Sequence, residues 1–404
     1  MRNALVFFST LALVACGDSD PAQGGSGGNG NGGGEGAGTS SDMGGAGAGP
    51  TTGGSGGEGT GGFSGMPSVP YVYVGTGAGV IEFYLLDRDT GALTSLGEVA
   101  AGDNPSFLAG SQDSRYVYAV DEGGSEVLAF EVEGGALVEI GERQSSEGNG
   151  PAYVSVDATG QWVLVANYGG GTVAVLPILE DGSLGAAVDV ESPGQNPHSI
   201  RTDASGTHAY VPCLGSDIVA QFDFDAATGQ LAAMASDAPL PNGTEPRHLE
   251  FHPSAPKVYV IGEESDTLTT FSVDGSGGLV DPVSISTLPN GANAGENFCA
   301  DLHLHPNGDF LYGSNRGNNS IAHFAVDGSG NAAADGHTPT DGDWPRNFGI
   351  DVEGGIMLVA NQQSDEVVTF AIDQTTGALT PRTTTATGSS PSWVGVIPQW
   401  VAVD

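Results

Sequence analysis

Three arginines, one histidine and one glutamate carry most of the chemistry this sequence offers: Arg247, Arg316, Arg346, His198 and Glu263. Of the side chains, imidazole titrates nearest neutral pH and can take a proton, and a carboxylate can orient it or replace it. Guanidinium groups present a planar fork that meets a carboxylate or phosphate through two hydrogen bonds. Together these groups suit proton transfer beside a bound planar anion. The chain has 10 Lys+Arg against 49 Asp+Glu, so a gathering of arginines is informative. The plainer alternative is that they neutralise nearby carboxylates and only hold the fold together, since ion-pair networks also cluster charge.

These residues are far apart in the chain, and a repeat must bring them together. Pro105, Pro151, Pro197, Pro246, Ala300, Pro345 and Pro391 occupy one repeat position, at spacings of 46, 46, 49, 54, 45 and 46 residues. Trp344–Thr380 shows the unit as four short runs of Val, Ile, Phe and Thr, Pro345–Asp351, Ile356–Asn361, Glu366–Ile372 and Ala378–Thr380. Gly and Asp/Asn clusters separate the runs, which is a strand-and-turn pattern with no long helical period. A period in the forties with four strands per unit predicts an all-β, seven-bladed β-propeller. Tyr71–Gly75, Val80–Asp87 and Ala92–Val99 lack a first strand, and Pro391–Ile397 is a first strand with nothing after it. The predicted closure places that C-terminal strand innermost in the N-terminal blade, leaving no open edge.

Alternating strand direction puts the start of each first strand and the end of each second strand on one face. One ring of residues there is expected to be Ser106, Ala152, His198, Arg247, Asp301, Arg346 and Ser392. A second includes Asp121, Glu122, Asn167, Tyr168, Cys213, Glu263, Asn315, Arg316 and Asn361. Arg88, Arg115, Arg143 and Arg382 fall in turns instead. His248, Glu250 and His252 alternate along one strand, and His303 and His305 do likewise. Interblade hydrogen bonding accounts for them better than metal binding, and no metal or cofactor is expected.

The N-terminus reads as a targeting segment. Residues 1–15 combine Arg2 with an apolar run too short to span a bilayer, ending Leu13-Val14-Ala15 before Cys16. This resembles a bacterial lipoprotein signal, with Cys16 the lipidated residue and the outer membrane the destination. Residues 17–66 hold 23 Gly in 50 positions, a composition that does not fold, so 16–66 is read as a flexible tether and 67–404 as the propeller. A formal charge of −39 repels phosphate backbones and excludes nucleic acid as a partner. The membrane is then reached only through the lipid, and the domain is expected to be a monomer outside the cytosol. Cys213 and Cys299 fall two blades apart, which does not favour a disulfide. The Gly53–Gly57 match to a serine-hydrolase elbow lies in the tether, without the strand and helix that such an elbow needs.

Several phrases carry a family resemblance: GPAYVSVDATGQWVLVANYGGGTVAVLPI, NPHSI, EPRHLEFHP, ADLHLHPNGDFLYGSNRGNNSIAHFAV and WPRNFGIDVEGGIMLVANQQSDEVVTFAID. They resemble the seven-bladed lactonase family, which includes bacterial 6-phosphogluconolactonases and fungal carboxymuconate-lactonizing enzymes. The resemblance covers about residues 70–400 and implies hydrolysis of a small anionic sugar lactone. It implies His198, Arg247, Glu263 and Arg316 as catalytic residues, the four that the ring argument reaches separately. Arg346, Asn167, Tyr168, Asn315 and Asp301 are expected to contact substrate. One departure is that the family's Asn-Glu-Leu after the second strand of blade five is Gly262-Glu263-Glu264 here. Two other readings stay open: a non-catalytic surface propeller binding an anionic glycan or protein, and a muconate-type cycloisomerase.

Overall fold

A computed structural model describes residues 68–400. The signal peptide, Cys16 and the Gly-rich tether lie outside the described residues. Short apolar runs pair with their sequence neighbours through Gly- and Asp-rich turns, and the result is seven antiparallel sheets. Blade three is representative: Pro151–Val156 innermost, then Trp162–Asn167, Thr172–Pro177 and Asp189–Glu191. Blade five runs Pro246–Phe251, Lys257–Gly262, Thr267–Val273 and Leu279–Ser286. The inner two strands are the most buried, because the neighbouring blades cover both their faces.

The ring closes as predicted. Pro391–Trp400 is the innermost strand of the blade completed by Ser68–Thr76, Val80–Leu86 and Leu93–Ala100. Its register with Ser68–Thr76 runs from Ser68 opposite Trp400 to Thr76 opposite Pro391. Buried tyrosines join successive blades. Tyr118, Tyr210, Tyr259 and Tyr312 occupy the third position of their second strands, and each hydroxyl donates to a glycine carbonyl on another blade, Gly182, Gly277, Gly330 and Gly377 in turn. Each bond satisfies a phenol that its burial would otherwise leave costly.

The register corrects one sequence reading. Pro151 pairs with Asn167, Pro197 with Cys213, Pro246 with Gly262 and Pro345 with Asn361. In blade six the partner of Asn315 is Cys299, so Cys299 and not Ala300 holds the repeat position. This blade has no proline to mark the position, so the sequence repeat falls one residue late there. Asp301 therefore leaves the first ring, and Ala300 takes its place.

Candidate active site

The residue after the repeat proline is the extra residue of a β-bulge in several blades. The pairing skips Ala152, Arg247 and Arg346. A bulge bends its strand and re-aims a side chain, which suits residues at the rim of a channel. The residue before the proline is left-handed in five blades: Gly150, Asn196, Glu245, Trp344 and Ser390, with φ between 51° and 65°. Such a φ is unusual for a tryptophan, and here it accompanies an arginine contact. The Arg316 guanidinium lies 5.6 Å from the centre of the Trp344 ring.

Glu263 stands between two arginines. Its Oε1 is 2.8 Å from Arg316 Nη2, and its Oε2 is 3.0 Å from Arg247 Nε. The first contact is a hydrogen bond, and the second is an ion pair without hydrogen-bond alignment. Burial works to raise the Glu263 pKa, but Arg247 and Arg316 outweigh it and hold the carboxyl below its usual range. Arg316 also donates to the carbonyls of Phe298 and Cys299, and Arg247 Nη1 donates to that of Ala300. Arg247 is 2% exposed. Burial and then Arg316 lower its pKa to about 9, so it still carries its charge at neutral pH.

His198 is 6% exposed, and its Nδ1 is buried without a partner. The ring meets Tyr168 and His248 edge to face, at 5.4 and 5.2 Å between centroids. Burial, then Arg247, His248 and Arg346 in turn, push its pKa well below the ordinary value, so the imidazole is neutral. Glu263 makes no hydrogen bond to it, so the expected carboxylate orienter of His198 is absent among the described residues. Both Glu263 oxygens face arginines instead.

Arg346 differs from the other two arginines. No hydrogen bond or ion pair ties it to any described residue, although Arg316, Glu122, Glu263 and Tyr168 all act on its charge. Tyr168 is 37% exposed beside His198. His198, Arg247, Glu263, Arg316, Arg346 and Tyr168 thus come together on one face.

Three expected substrate contacts do not join them. Asn167 Nδ2 donates to the Ser146 carbonyl and Asn315 Nδ2 to that of Thr287, as Asn361 Nδ2 does to that of Thr340. These asparagines lie at the ends of second strands, and each ties down the loop that leaves the outer strand of the preceding blade. Asp301, 1% exposed, lies one layer deeper and accepts from His248, His303 and Asn347. Of the histidines read as interblade partners, His252 is not one, because its Nδ1 accepts from Ser254 N and Ala255 N in its own blade. The others are: His305 Nε2 donates to the Gly354 carbonyl, His303 Nδ1 meets Glu250 Oε1 at 3.2 Å, and Glu250 Oε2 meets Arg201 at 2.8 Å. Arg201, His248, Glu250, Asp301 and His303 line a cavity of ≈ 40 Å³ in the channel. Cys213 and Cys299 are free and buried, and burial pushes the Cys213 thiol up to about 12. Sequence reasoning missed Trp344, Arg201 and the part played by His248. Trp344 directly precedes Pro345 and Arg346, which was the available signal.

Residues 71–396 match the family model described as lactonase, 7-bladed beta-propeller. A 6-phosphogluconolactonase of Pectobacterium carotovorum is 34% identical over 191 residues, covering 46% of this chain and 57% of that protein. The chain thus spans little more than half the length of the curated relatives it matches. Among solved structures, the periplasmic gluconolactonase of Pseudomonas aeruginosa is 29% identical with a TM-score of 0.75, covering 83% of this chain and 100% of that one. A Lactobacillus plantarum protein is also 29% identical, with a TM-score of 0.74, covering 82% and 99%.

Proposed function

This chain belongs to the seven-bladed β-propeller lactonase family, and on that premise we propose that it hydrolyses a sugar-acid lactone at the arginine-lined face of the propeller. The observation that carries this reading is a neutral histidine whose Nδ1 has no partner, set among three arginines, one of them unpaired. Plain anion binding needs the arginines but not the histidine.

Water adds to the lactone carbonyl, His198 takes the proton released from that water, and the carbonyl oxygen becomes an oxyanion. Arg247 and Arg316 donate to this oxyanion in the proposed reaction. Collapse breaks the bond between the carbonyl carbon and the ring oxygen, the ring oxygen takes the proton held by His198, and a hydroxy acid forms with the imidazole neutral again. Arg346 receives an anionic substituent of the substrate, a carboxylate or phosphate. Arrival of that anion offsets the positive field that depresses the His198 pKa, so the base strengthens as substrate binds. Tyr168 walls the same space.

We place the domain outside the cytosol, carried on a lipidated Cys16 in the outer membrane. The Leu13–Cys16 sequence supports this placement, as does the periplasmic designation of the Pseudomonas aeruginosa relative. The partner is then a small anionic lactone present outside the cytosol, met by a monomer. The test is a screen of the purified domain against phosphorylated and unphosphorylated aldonolactones, reading proton release. Rates no faster than spontaneous ring opening across the panel would overturn the reading.

A further inference from the structure

Behind Arg247 lies a buried hydrogen-bond relay with a fixed direction. Asp301 receives five donors: His248 Nδ1 at 2.7 Å and Leu302 N at 2.9 Å on Oδ1, with His303 Nε2 at 2.9 Å, Asn347 Nδ2 at 2.5 Å and Phe348 N at 3.2 Å on Oδ2. A carboxylate so surrounded is an acceptor only. His248 must therefore carry its proton on Nδ1. Its Nε2 is then a lone pair, and Arg247 Nη1 lies 3.3 Å from it. Phe107 and Tyr153 hold the ring edge to face at 5.6 and 5.2 Å, so it cannot swing away.

We infer that His248, locked in one tautomer by Asp301, is a positioning residue that aims the Arg247 guanidinium into the site. Nη1 is taken by His248 and the Ala300 carbonyl, and Nε faces Glu263. That leaves Nη2, which bonds to no described residue, as the donor offered to a ligand. A guanidinium free to rotate about its stem would lose this aim, and misplacing a group that binds charge in the transition state costs about 10²-fold. This inference rests on the lactonase reading for its kinetic readout, but not for its structural one.

The experiment has two arms. In the first, ¹⁵N spectra of the wild-type imidazoles read the tautomer directly. The expected result for His248 is protonated Nδ1 and unprotonated Nε2, and a proton on Nε2 overturns the inference whether or not any lactone is turned over. In the second, His248→Phe and His248→Gln are compared for kcat, KM, melting temperature and calorimetric affinity for 6-phosphogluconate and gluconate. His248→Phe keeps the ring packing but removes the acceptor, and should lower kcat/KM about 10²-fold. His248→Gln restores an acceptor near Nε2 and should recover at least tenfold, whatever its melting temperature. Equal losses in both variants that follow their melting temperatures would mean that His248 only supports the fold. If no aldonolactone is hydrolysed, the lactonase reading fails alone, and the tautomer still decides this one.

Discussion

Arg316 Nη2 lies 2.8 Å from Glu263 Oε1 while Arg247 Nε lies 3.0 Å from Oε2, so one carboxylate serves two buried arginines. Charge alternates along the path from there into the channel: Arg316, Glu263, Arg247, neutral His248, Asp301, His303, Glu250, Arg201. His303 is cationic in this series. Burial alone would lower its pKa, but Asp301 and Glu250 raise it to about 10.

Glu263→Gln should therefore do more than slow turnover. It leaves Arg247 and Arg316 facing each other without the charge that neutralises them, and breaking a buried pair on one side is strongly destabilising. The melting temperature at pH 7 should fall clearly, which scanning calorimetry would read. Because the Glu263 pKa is depressed, its stabilisation is full above the ordinary glutamate value of about 4.3 and is lost as pH falls through the folded value. Wild type should thus lose stability on acidification below about pH 4 more steeply than Glu263→Gln. Parallel curves for the two proteins would contradict this account of the pair.

His198→Ala should behave in the opposite way. Its Nδ1 has no partner to lose, so the fold should change little, while turnover falls ~10²–10⁴-fold if the imidazole is the base. The depressed pKa carries a sign: native His198 stays neutral while the unfolded chain takes a proton near pH 6.5, so this residue destabilises the fold as pH falls below that value. The variant should flatten that part of the stability profile. Titration by NMR should find the imidazole neutral at pH 6 without ligand, and its pKa higher with a bound sugar acid. A pKa that does not move on binding would remove the field argument.

Much of this is legible in the sequence. Strand boundaries such as Ile356–Asn361 and Glu366–Ile372 match, because short antiparallel strands between Gly and Asp turns are locally encoded. The face shared by His198, Arg247, Glu263, Arg316 and Arg346 followed from strand direction alone. Asp301 is misplaced because blade six carries no proline at the repeat position; the constant 16-residue step that joins Pro151 to Asn167 and Pro345 to Asn361 points to Cys299. Asn167 and Asn315 sit at the right end of the right strands, but sequence does not say which way an amide turns, and a loop carbonyl takes each one.

The anchoring proposal has its own test. Cys16→Ser should release the protein from the membrane fraction or leave the precursor uncleaved, as fractionation and mass spectrometry of the N-terminus would show. Wild-type protein recovered in the cytosol with Met1 intact would refute it.

Deleting the chain from Pro391 onward should unfold the domain as a unit. The deletion removes the pairing that runs from Ser68–Trp400 to Thr76–Pro391, and also the bond from Val394 N to Asn347 Oδ1 that ties the closing strand to the preceding blade. The edge of Ser68–Thr76 would then lie unpaired, and the contact that closes the ring would be gone. A truncated protein that melts as sharply, at the same temperature, would show that this closure is dispensable.

Arg346 separates ligand binding from folding most cleanly. Arg247 and Arg316 are tied to Glu263 and to main-chain carbonyls, so their removal disturbs the fold and the site together. Arg346 has no such partner among the described residues, and its pKa is lowered first by burial and then by repulsion from Arg316. A cation held in that position contributes little to the apo fold and much to an arriving anion. Arg346→Ala should therefore leave the melting temperature unchanged or raise it slightly. Losing a hydrogen bond to a charged group is worth about 1.5–3 kcal/mol, so KM for an anionic lactone should rise about 10–100-fold. A neutral aldonolactone should feel the change far less. Arg346→Lys should recover only part of the loss, because an ammonium cannot present the planar fork. Equal KM increases for charged and neutral lactones would show that Arg346 shapes the site without reading substrate charge.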